Sequence, residues 1–297
     1  RTYIIIKLCK FFNPNNNKLI KGIFLILLLD IVLVVFSILM LWKGADWLVE
    51  AAAEIAHSLK ISDLVIGLTV VAFGTSAPEF AVTIKAALTG QTDISIGNVV
   101  GSNIFNLGFI LGGTAMVRAI KITPKLLYRD GLFLLLVTIL IYVLFFGFNG
   151  WDITDAITTA EGSFLFLALI GYIIFLFIKK EPMEETHPES ADLKSYLWFF
   201  AGLISIVLGG HLMVEHASSL ASAFGVSDWV IAVTIVAAGT SAPELATSLT
   251  AAFKDKHGMA IGNLIGSDLF NLLGVLGLAG IINPTNIQSD IHSSIVV

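Results

Sequence analysis

Hydrophobic residues in this chain fall into long runs divided by short polar stretches. Runs long enough to cross a bilayer as a helix, roughly 20 residues each, lie near 22–42, 64–88, 94–117, 131–148, 162–178, 196–214, 229–253 and 258–282. The pattern predicts eight membrane-spanning helices. The strongly polar interior stretch, 179–194, carries Glu181, Glu184, Glu185, Glu189 and Asp192 and is too short for a folded domain. It lacks the spacing of an EF-hand, so it reads as a solvated linker.

Two of the apolar runs are interrupted by the same six residues. Gly74-Thr75-Ser76-Ala77-Pro78-Glu79 breaks the second, and Gly239-Thr240-Ser241-Ala242-Pro243-Glu244 breaks the seventh. A carboxylate at the middle of a spanning helix costs about 2.5–3.5 kcal/mol on insertion scales. The proline before it removes a backbone donor and crowds the preceding turn. A chain that accepts both penalties twice is expected to use them.

The likeness extends beyond the six residues. The offset is 165, the difference between positions 239 and 74, and it also pairs Ser62-Asp63 with Ser227-Asp228, Glu50 with Glu215, Asn98 with Asn263, and Phe105-Asn106 with Phe270-Asn271. About half of the positions from Ser62 to Gly112 match their copies without a gap. This is a duplication. Five predicted spans separate each segment from its copy, and an odd number of crossings turns the second copy upside down. The expected fold is therefore an all-α polytopic membrane protein built as an inverted-topology repeat, with a substrate site at the midplane between the repeats. Residues 1–21 read as a leader or tail, 22–178 as a first repeat of five spans, 179–194 as a cytoplasmic linker, and 195–297 as a second repeat with three. Two further helices would complete it, so the expectation is eight spans of ten and a truncated C-terminus.

Composition agrees with a membrane protein. Hydrophobic residues make up 56% and charged residues 13%, with a mean hydropathy of +0.90. A net charge of −5, thinly spread, leaves no basic patch for nucleic acid. Cys9 is the only cysteine, which excludes a disulfide framework and a thiolate metal site. The basic loops set the orientation: Lys60, then Arg118, Lys121, Lys125 and Arg129, then Lys179, Lys180 and Lys194, then Lys254 and Lys256 fall on one side. That side is expected to be cytoplasmic, with the N-terminus outside, in a plasma or inner membrane. The tail lysines Lys7, Lys10, Lys18 and Lys21 point the other way, but the loops agree with one another. The spans hold no serine–histidine pair, paired aspartates or His-Glu-x-x-His, so an intramembrane hydrolase is not expected. A channel assembles its pore from a ring of subunits, whereas this chain carries its own inverted pair and suits alternating access. No partner protein is called for, and a monomer would suffice.

The broken segments offer hard-cation chemistry. Thr75 and Ser76 precede Glu79 by four and three positions and share its helix face. Pro78 cannot donate to the Gly74 carbonyl, and carbonyls around Ala72–Thr75 are expected to turn into a cavity, the setting in which irregular backbone is tolerated at membrane depth. The following span adds Asn98, Ser102 and Asn106 at i, i+4 and i+8, beside Gly97 and Gly101; Asn263, Ser267 and Asn271 copy that stripe. Two carboxylates among hydroxyl, amide and carbonyl oxygens, with no histidine or cysteine, suit Ca²⁺, which takes 6–8 oxygens; Thr75 and Thr240 would help complete the shell, and Na⁺ can use the same donors. Glu50, Glu215, His211 and His216 read as solvated or structural.

These two blocks, each followed by Gly-Asn-x-x-Gly-Ser-x-x-Phe-Asn (Gly97–Asn106 and Gly262–Asn271), resemble the paired α-repeats of the calcium:cation antiporter superfamily, and above all the prokaryotic sodium/calcium exchangers. The resemblance covers about 22–282 and implies an antiporter, not an enzyme, that needs no cofactor and exchanges Na⁺ for Ca²⁺. It implies that Glu79 and Glu244 are shared carboxylates, that Thr75 and Thr240 bind Ca²⁺, that Ala72, Ser76, Ser102, Ala237, Ser241 and Ser267 line flanking Na⁺ sites, and that Asn106 and Asn271 sit at the centre. Asparagine at 271, where some relatives have aspartate, argues against K⁺ coupling. The alternative within the same fold is Ca²⁺/H⁺ exchange, since carboxylates also bind protons. Asp268 stands where the first repeat has Asn103, and the resemblance assigns it no role.

Overall fold

The computed structural model describes residues 17–146, 156–179, 191–283 and 285–286. Among these the chain is helical almost throughout; one short antiparallel pair, β1 (Ala156–Ile157) with β2 (Thr285–Asn286), ties two loops together. Helix α1 (Asn17–Leu59) starts before the predicted Gly22 and runs far past the end of the first apolar run at Trp42. At 1.5 Å per residue it is about 65 Å long, more than a bilayer needs. The extension is amphipathic. Ala45, Leu48, Val49, Ala52 and Ala56 are buried on one side, while Asp46, Glu50 and Glu54 repeat every four residues on another.

Next come α2 (Asp63–Thr75) and α3 (Ala77–Leu88), a broken pair bent by 51°. The Ser62 hydroxyl caps α2 by accepting from the Val65 amide at 3.3 Å. The break falls at Ser76, and Pro78 sits in the first turn of α3, where a missing donor costs nothing. Four unbroken helices follow: α4 (Ile94–Val117), α5 (Leu126–Phe145), α6 (Thr159–Lys179) and α7 (Leu193–Ala223). Asp192 and Ser195 form a capping box at the start of α7. Residues 228–240 form α8, a break at Ser241 follows, and α9 is Ala242–Phe253; α10 is His257–Ile282. Among the described residues six unbroken helices are long and apolar enough to span, and the α2–α3 pair makes a seventh. The predicted eight are reached only by taking α8–α9, built the same way, as the last. The duplication reaches fine detail: a widened π-helical stretch at Gly67–Val71 recurs at Ala232–Val236, and another at Phe105–Leu111 recurs at Phe270–Val275.

Cross-links at the two ends of the bundle show how the chain alternates. At one end Arg118 meets Asp255 at 2.5 Å, Lys256 meets Asp63 at 3.4 Å, and Lys254 bridges Asp46 at 2.6 Å and Glu50. At the other, Asn283 donates to the Ala87 carbonyl at 3.1 Å, and Asp30 accepts from Ser219 at 2.7 Å and lies 2.8 Å from His216. The two broken pairs therefore enter from opposite ends, which is the inverted repeat. Glycines allow the long helices to touch: a Cβ on Gly202 would stand 2.7 Å from the Gly44 carbonyl, and one on Gly209 3.0 Å from Met40, so α1 and α7 pack backbone to backbone. Helix α10 runs through the centre, with every residue from Met259 to Leu269 buried.

Candidate cation site

The two breaks bring their side chains face to face. The Ser76 hydroxyl donates to Glu244 Oε1 at 3.0 Å, and the Ser241 hydroxyl donates to Glu79 Oε1 at 3.0 Å. Each serine thus serves the glutamate of the other repeat. Within its own repeat each glutamate takes a second, longer bond, Ser102 to Glu79 Oε1 and Ser267 to Glu244 Oε1, both at 3.4 Å. Both carboxylates are buried, as are Ser76, Ser102, Ser241 and Ser267.

Thr75 crosses between the repeats. Its hydroxyl donates to Asn263 Oδ1 at 3.0 Å and lies 3.3 Å from Ser267 Oγ. Thr240 is half-buried at the matching place. The Ala72 carbonyl accepts from the Ser76 amide at 3.0 Å and the Thr75 hydroxyl at 3.3 Å. It is therefore not loosened into a cavity as the sequence predicts: the break falls at Ser76, after the last turn of α2, and that turn stays closed. Ala237 opens the equivalent turn of α8.

The polar stripe splits into two tasks. Asn98 Nδ2 donates to the Glu79 carbonyl at 3.2 Å and to Thr83 Oγ1 at 3.0 Å, and Asn263 Nδ2 repeats this with the Glu244 carbonyl at 3.5 Å and Ser248 Oγ at 3.0 Å. These asparagines hold the first turns of α3 and α9 in place. Thr83 and Ser248, one helical turn past each glutamate, are partners the motif reading passes over; a hydroxyl at the same offset in both copies is the signal that finds them. Asn106 and Asn271 lie deeper and are both buried. Asn106 Nδ2 donates to Asp268 Oδ1 at 2.9 Å, and Asn271 Nδ2 donates to Asn103 Oδ1 at 3.0 Å.

What this leaves over is oxygen. Glu79 Oε2, Glu244 Oε2, Asp268 Oδ2, Asn106 Oδ1 and Asn271 Oδ1 are among the buried side-chain oxygens that find no hydrogen-bond donor among the described residues. Buried acceptors without a donor are costly, charged ones most of all, and a hard cation relieves the cost. No trio of histidine, cysteine, aspartate and glutamate clusters around a metal position among the described residues.

Elsewhere, Asp130 is buried between α5 and α6, held by Arg129 at 2.7 Å and the Tyr172 hydroxyl at 2.8 Å. Asp30, inside the first span, is held by His216 and Ser219. The sequence reading passes over both aspartates. His216 is structural, as expected, while Glu215 is exposed and lies 3.8 Å from His211.

The chain is similar to known proteins over most of its length. The sequence profile of the family described as "Sodium/calcium exchanger protein" matches residues 29–178 and again 194–296. A putative antiporter, CaxA of Alkalimonas amylolytica, is 38% identical over 87% of this chain and 82% of its own length. The sodium/calcium exchanger MaX1 of Methanosarcina acetivorans is 33% identical over 89% and 84%. Among solved structures, the sodium-calcium exchanger NCX_Mj soaked with 10 mM Na⁺ and zero Ca²⁺ superposes with a TM-score of 0.77 at 30% identity, covering 91% of this chain and 88% of that one. With an inverted pair of broken helices, a twice-matching profile and relatives over most of its length, the chain belongs to the sodium/calcium exchanger family, as a multi-pass membrane antiporter exchanging cations with Ca²⁺ and not an enzyme.

Proposed function

We propose that the protein exchanges Na⁺ for Ca²⁺ by alternating access, binding both ions at Glu79 and Glu244. The observation that supports this best is the exchange of serines between repeats. It ties each carboxylate to the opposite half by one oxygen and leaves the other without a donor. Two carboxylates match the charge of one Ca²⁺ and supply up to four of the 6–8 oxygens it takes. Asn106 and Asn271 add amide oxygens. Thr75, Thr240, Ser76, Ser241, Ser102 and Ser267 supply hydroxyls to Ca²⁺ or to Na⁺ in flanking positions, and the backbone at Ala72 and Ala237 borders them. Each glutamate is held from both repeats, so movement of one repeat against the other changes the donor set, which is what alternating access needs.

The test is ⁴⁵Ca²⁺ uptake into proteoliposomes loaded with Na⁺. Uptake is expected with an outward Na⁺ gradient and not when choline replaces Na⁺. Uptake driven by a pH gradient without Na⁺ would move the assignment to Ca²⁺/H⁺ exchange.

The basic end of the bundle faces the cytoplasm in this reading and the N-terminus lies outside. The halves 22–178 and 195–297 are the moving repeats, and 179–194, most of which lies outside the described residues, links them on the cytoplasmic side. Single cysteines at Ser62 and Ser227, introduced after Cys9→Ser, are expected to label from opposite faces, the first from the cytoplasm. Labelling of both from one face would refute the inverted repeat, and labelling of the second from the cytoplasm would refute the orientation.

A further inference from the structure

Asp268 is a buried carboxylate to which the ion site gives no role, and it breaks the duplication, since Asn103 stands at the same place in the first copy. An asparagine amide has two ends of nearly equal size, and only its hydrogen-bond partners decide which end faces a site. For a cation the choice is decisive: the oxygen binds it and the NH₂ group repels it. Asp268 Oδ1 takes the NH₂ group of Asn106 at 2.9 Å, which leaves Asn106 Oδ1 buried and without a donor. The main-chain carbonyl of Asp268 takes the NH₂ group of Asn103 at 3.3 Å. Asn103 Oδ1 is then free to accept from Asn271 Nδ2 at 3.0 Å, which leaves Asn271 Oδ1 buried and without a donor. One residue, through its side chain and its backbone, sets the orientation of both central amides.

We propose that Asp268 and Asn103 are positioning residues that turn the amide oxygens of Asn106 and Asn271 toward the transported cation. This rests on the reading that those two asparagines contribute oxygens to the ion site. It also accounts for the break in the duplication. Two facing asparagines can pair in either sense, because each can donate or accept. A carboxylate oxygen only accepts, so one aspartate in this open chain of four residues removes the ambiguity, and the Asp268 backbone passes the choice on to the second pair.

The experiment compares half-saturating Ca²⁺ and maximal rate of Na⁺-driven uptake in proteoliposomes. Asn106→Leu is the reference and is expected to raise half-saturating Ca²⁺ by about tenfold or more, the effect of losing an oxygen that faces a charge. Asp268→Leu, which keeps Asn106 but frees its amide, is expected to do the same with the maximal rate held within about threefold. The change fits in space, since Asp268 borders a cavity of about 230 Å³ lined by Val100, Leu134, Ile141 and Leu272. Asp268→Asn retains an acceptor oxygen of the same size but also permits the reversed pairing, and is expected to fall between Asp268→Leu and the parent. A shift in Asn106→Leu without one in Asp268→Leu overturns the positioning role, as does equal damage from Asp268→Asn and Asp268→Leu, which would make the charge the cause. No shift in Asn106→Leu overturns the site reading itself. Should Asp268→Leu fail to reach the membrane, Asn103→Leu set against Asn271→Leu decides by the same criteria.

Discussion

Helices α4 and α10 carry one motif at one spacing in opposite surroundings. In α10, 78% of the most apolar stretch is buried; in α4 the share is 33%. A Cβ placed on Gly262, Gly266 or Gly277 would stand 2.7, 2.6 or 2.9 Å from the carbonyls of Leu64, Leu68 and Gly162, so α10 packs directly on the backbones of α2 and α6. A Cβ on Gly97, Gly101 or Gly112, the matching positions of α4, would meet no described atom within 4 Å beyond the backbone of its own helix. Yet the bonds around the two glutamates agree closely. The inter-repeat serine bond is 3.0 Å in both, the serine bond within the repeat 3.4 Å in both, and the asparagine–hydroxyl bond 3.0 Å in both. Site geometry comes from bonds within the two motifs and between them, and does not require the outer faces of their helices to be packed alike.

If the two halves of the site are equivalent, Glu79→Gln and Glu244→Gln each remove one of two negative charges and give a carboxylate oxygen up to an amide nitrogen. Each is expected to reduce Na⁺-driven Ca²⁺ uptake at least about a hundredfold, as loss of a charged ligand in a buried site does, while the purified protein keeps its elution volume and helix content. Retained exchange at saturating Ca²⁺ in one variant only would show that the halves differ in function despite matching bonds.

The site was legible in the sequence to the extent that it is duplicated. The repeated Gly-Thr-Ser-Ala-Pro-Glu, its offset and the odd number of spans lead to a facing pair of broken helices, and the structure brings Glu79, Glu244, Ser76, Ser241, Ser102, Ser267 and Thr75 together. The exchange of Ser76 and Ser241 between repeats was not legible, because sequence spacing reports which residues share a helix face and says nothing of which helix lies opposite. The Ala72 carbonyl was misread for a local reason: a proline releases the carbonyl four residues back, Gly74 here, and not the whole preceding turn. Asp30 and Asp130 escaped notice because each lies in an otherwise apolar run with partners, His216 and Tyr172, far along the chain. The first apolar run ends at Trp42 because a hydropathy run ends where lipid ends, whereas the helix continues past Glu50 to Leu59 as long as protein covers one side of it.

A second comparison uses the glycines. Gly277→Ala places a methyl 2.9 Å from the Gly162 carbonyl and 3.1 Å from the Phe166 amide. Backbone atoms cannot turn aside as side chains do, so α6 and α10 must part, at about 1–3 kcal/mol for overpacking. Gly112→Ala, its counterpart, meets no described atom and gains the better helix former, worth about 1 kcal/mol at most. Melting temperatures in detergent are expected to fall for the first and hold or rise for the second. Equal losses would mean that α4 is as closely covered as α10.

The smallest expected effect concerns the ion pair that ties the two compared helices at their ends. Arg118 follows α4, Asp255 precedes α10, and their side chains meet at 2.5 Å in an exposed position. The Arg118 guanidinium, hydrogen-bonded to the carboxylate, holds the Asp255 carboxyl below the usual aspartate range, with His257 and Lys121 adding to the effect. A group whose pKa is lowered by folding stabilises the folded state at pH values above its unfolded pKa. That contribution is lost as pH falls through the lowered value. Asp255→Asn is therefore expected to melt slightly below the parent at pH 7 and pH 5, by less than Gly277→Ala does, with the gap closing toward pH 3. Exposed pairs are screened by salt, so 1 M NaCl at pH 7 is expected to close it as well. A gap that widens as the pH falls, or that persists in high salt, would mean that Asp255 matters to this end of the bundle through something other than its charge on Arg118.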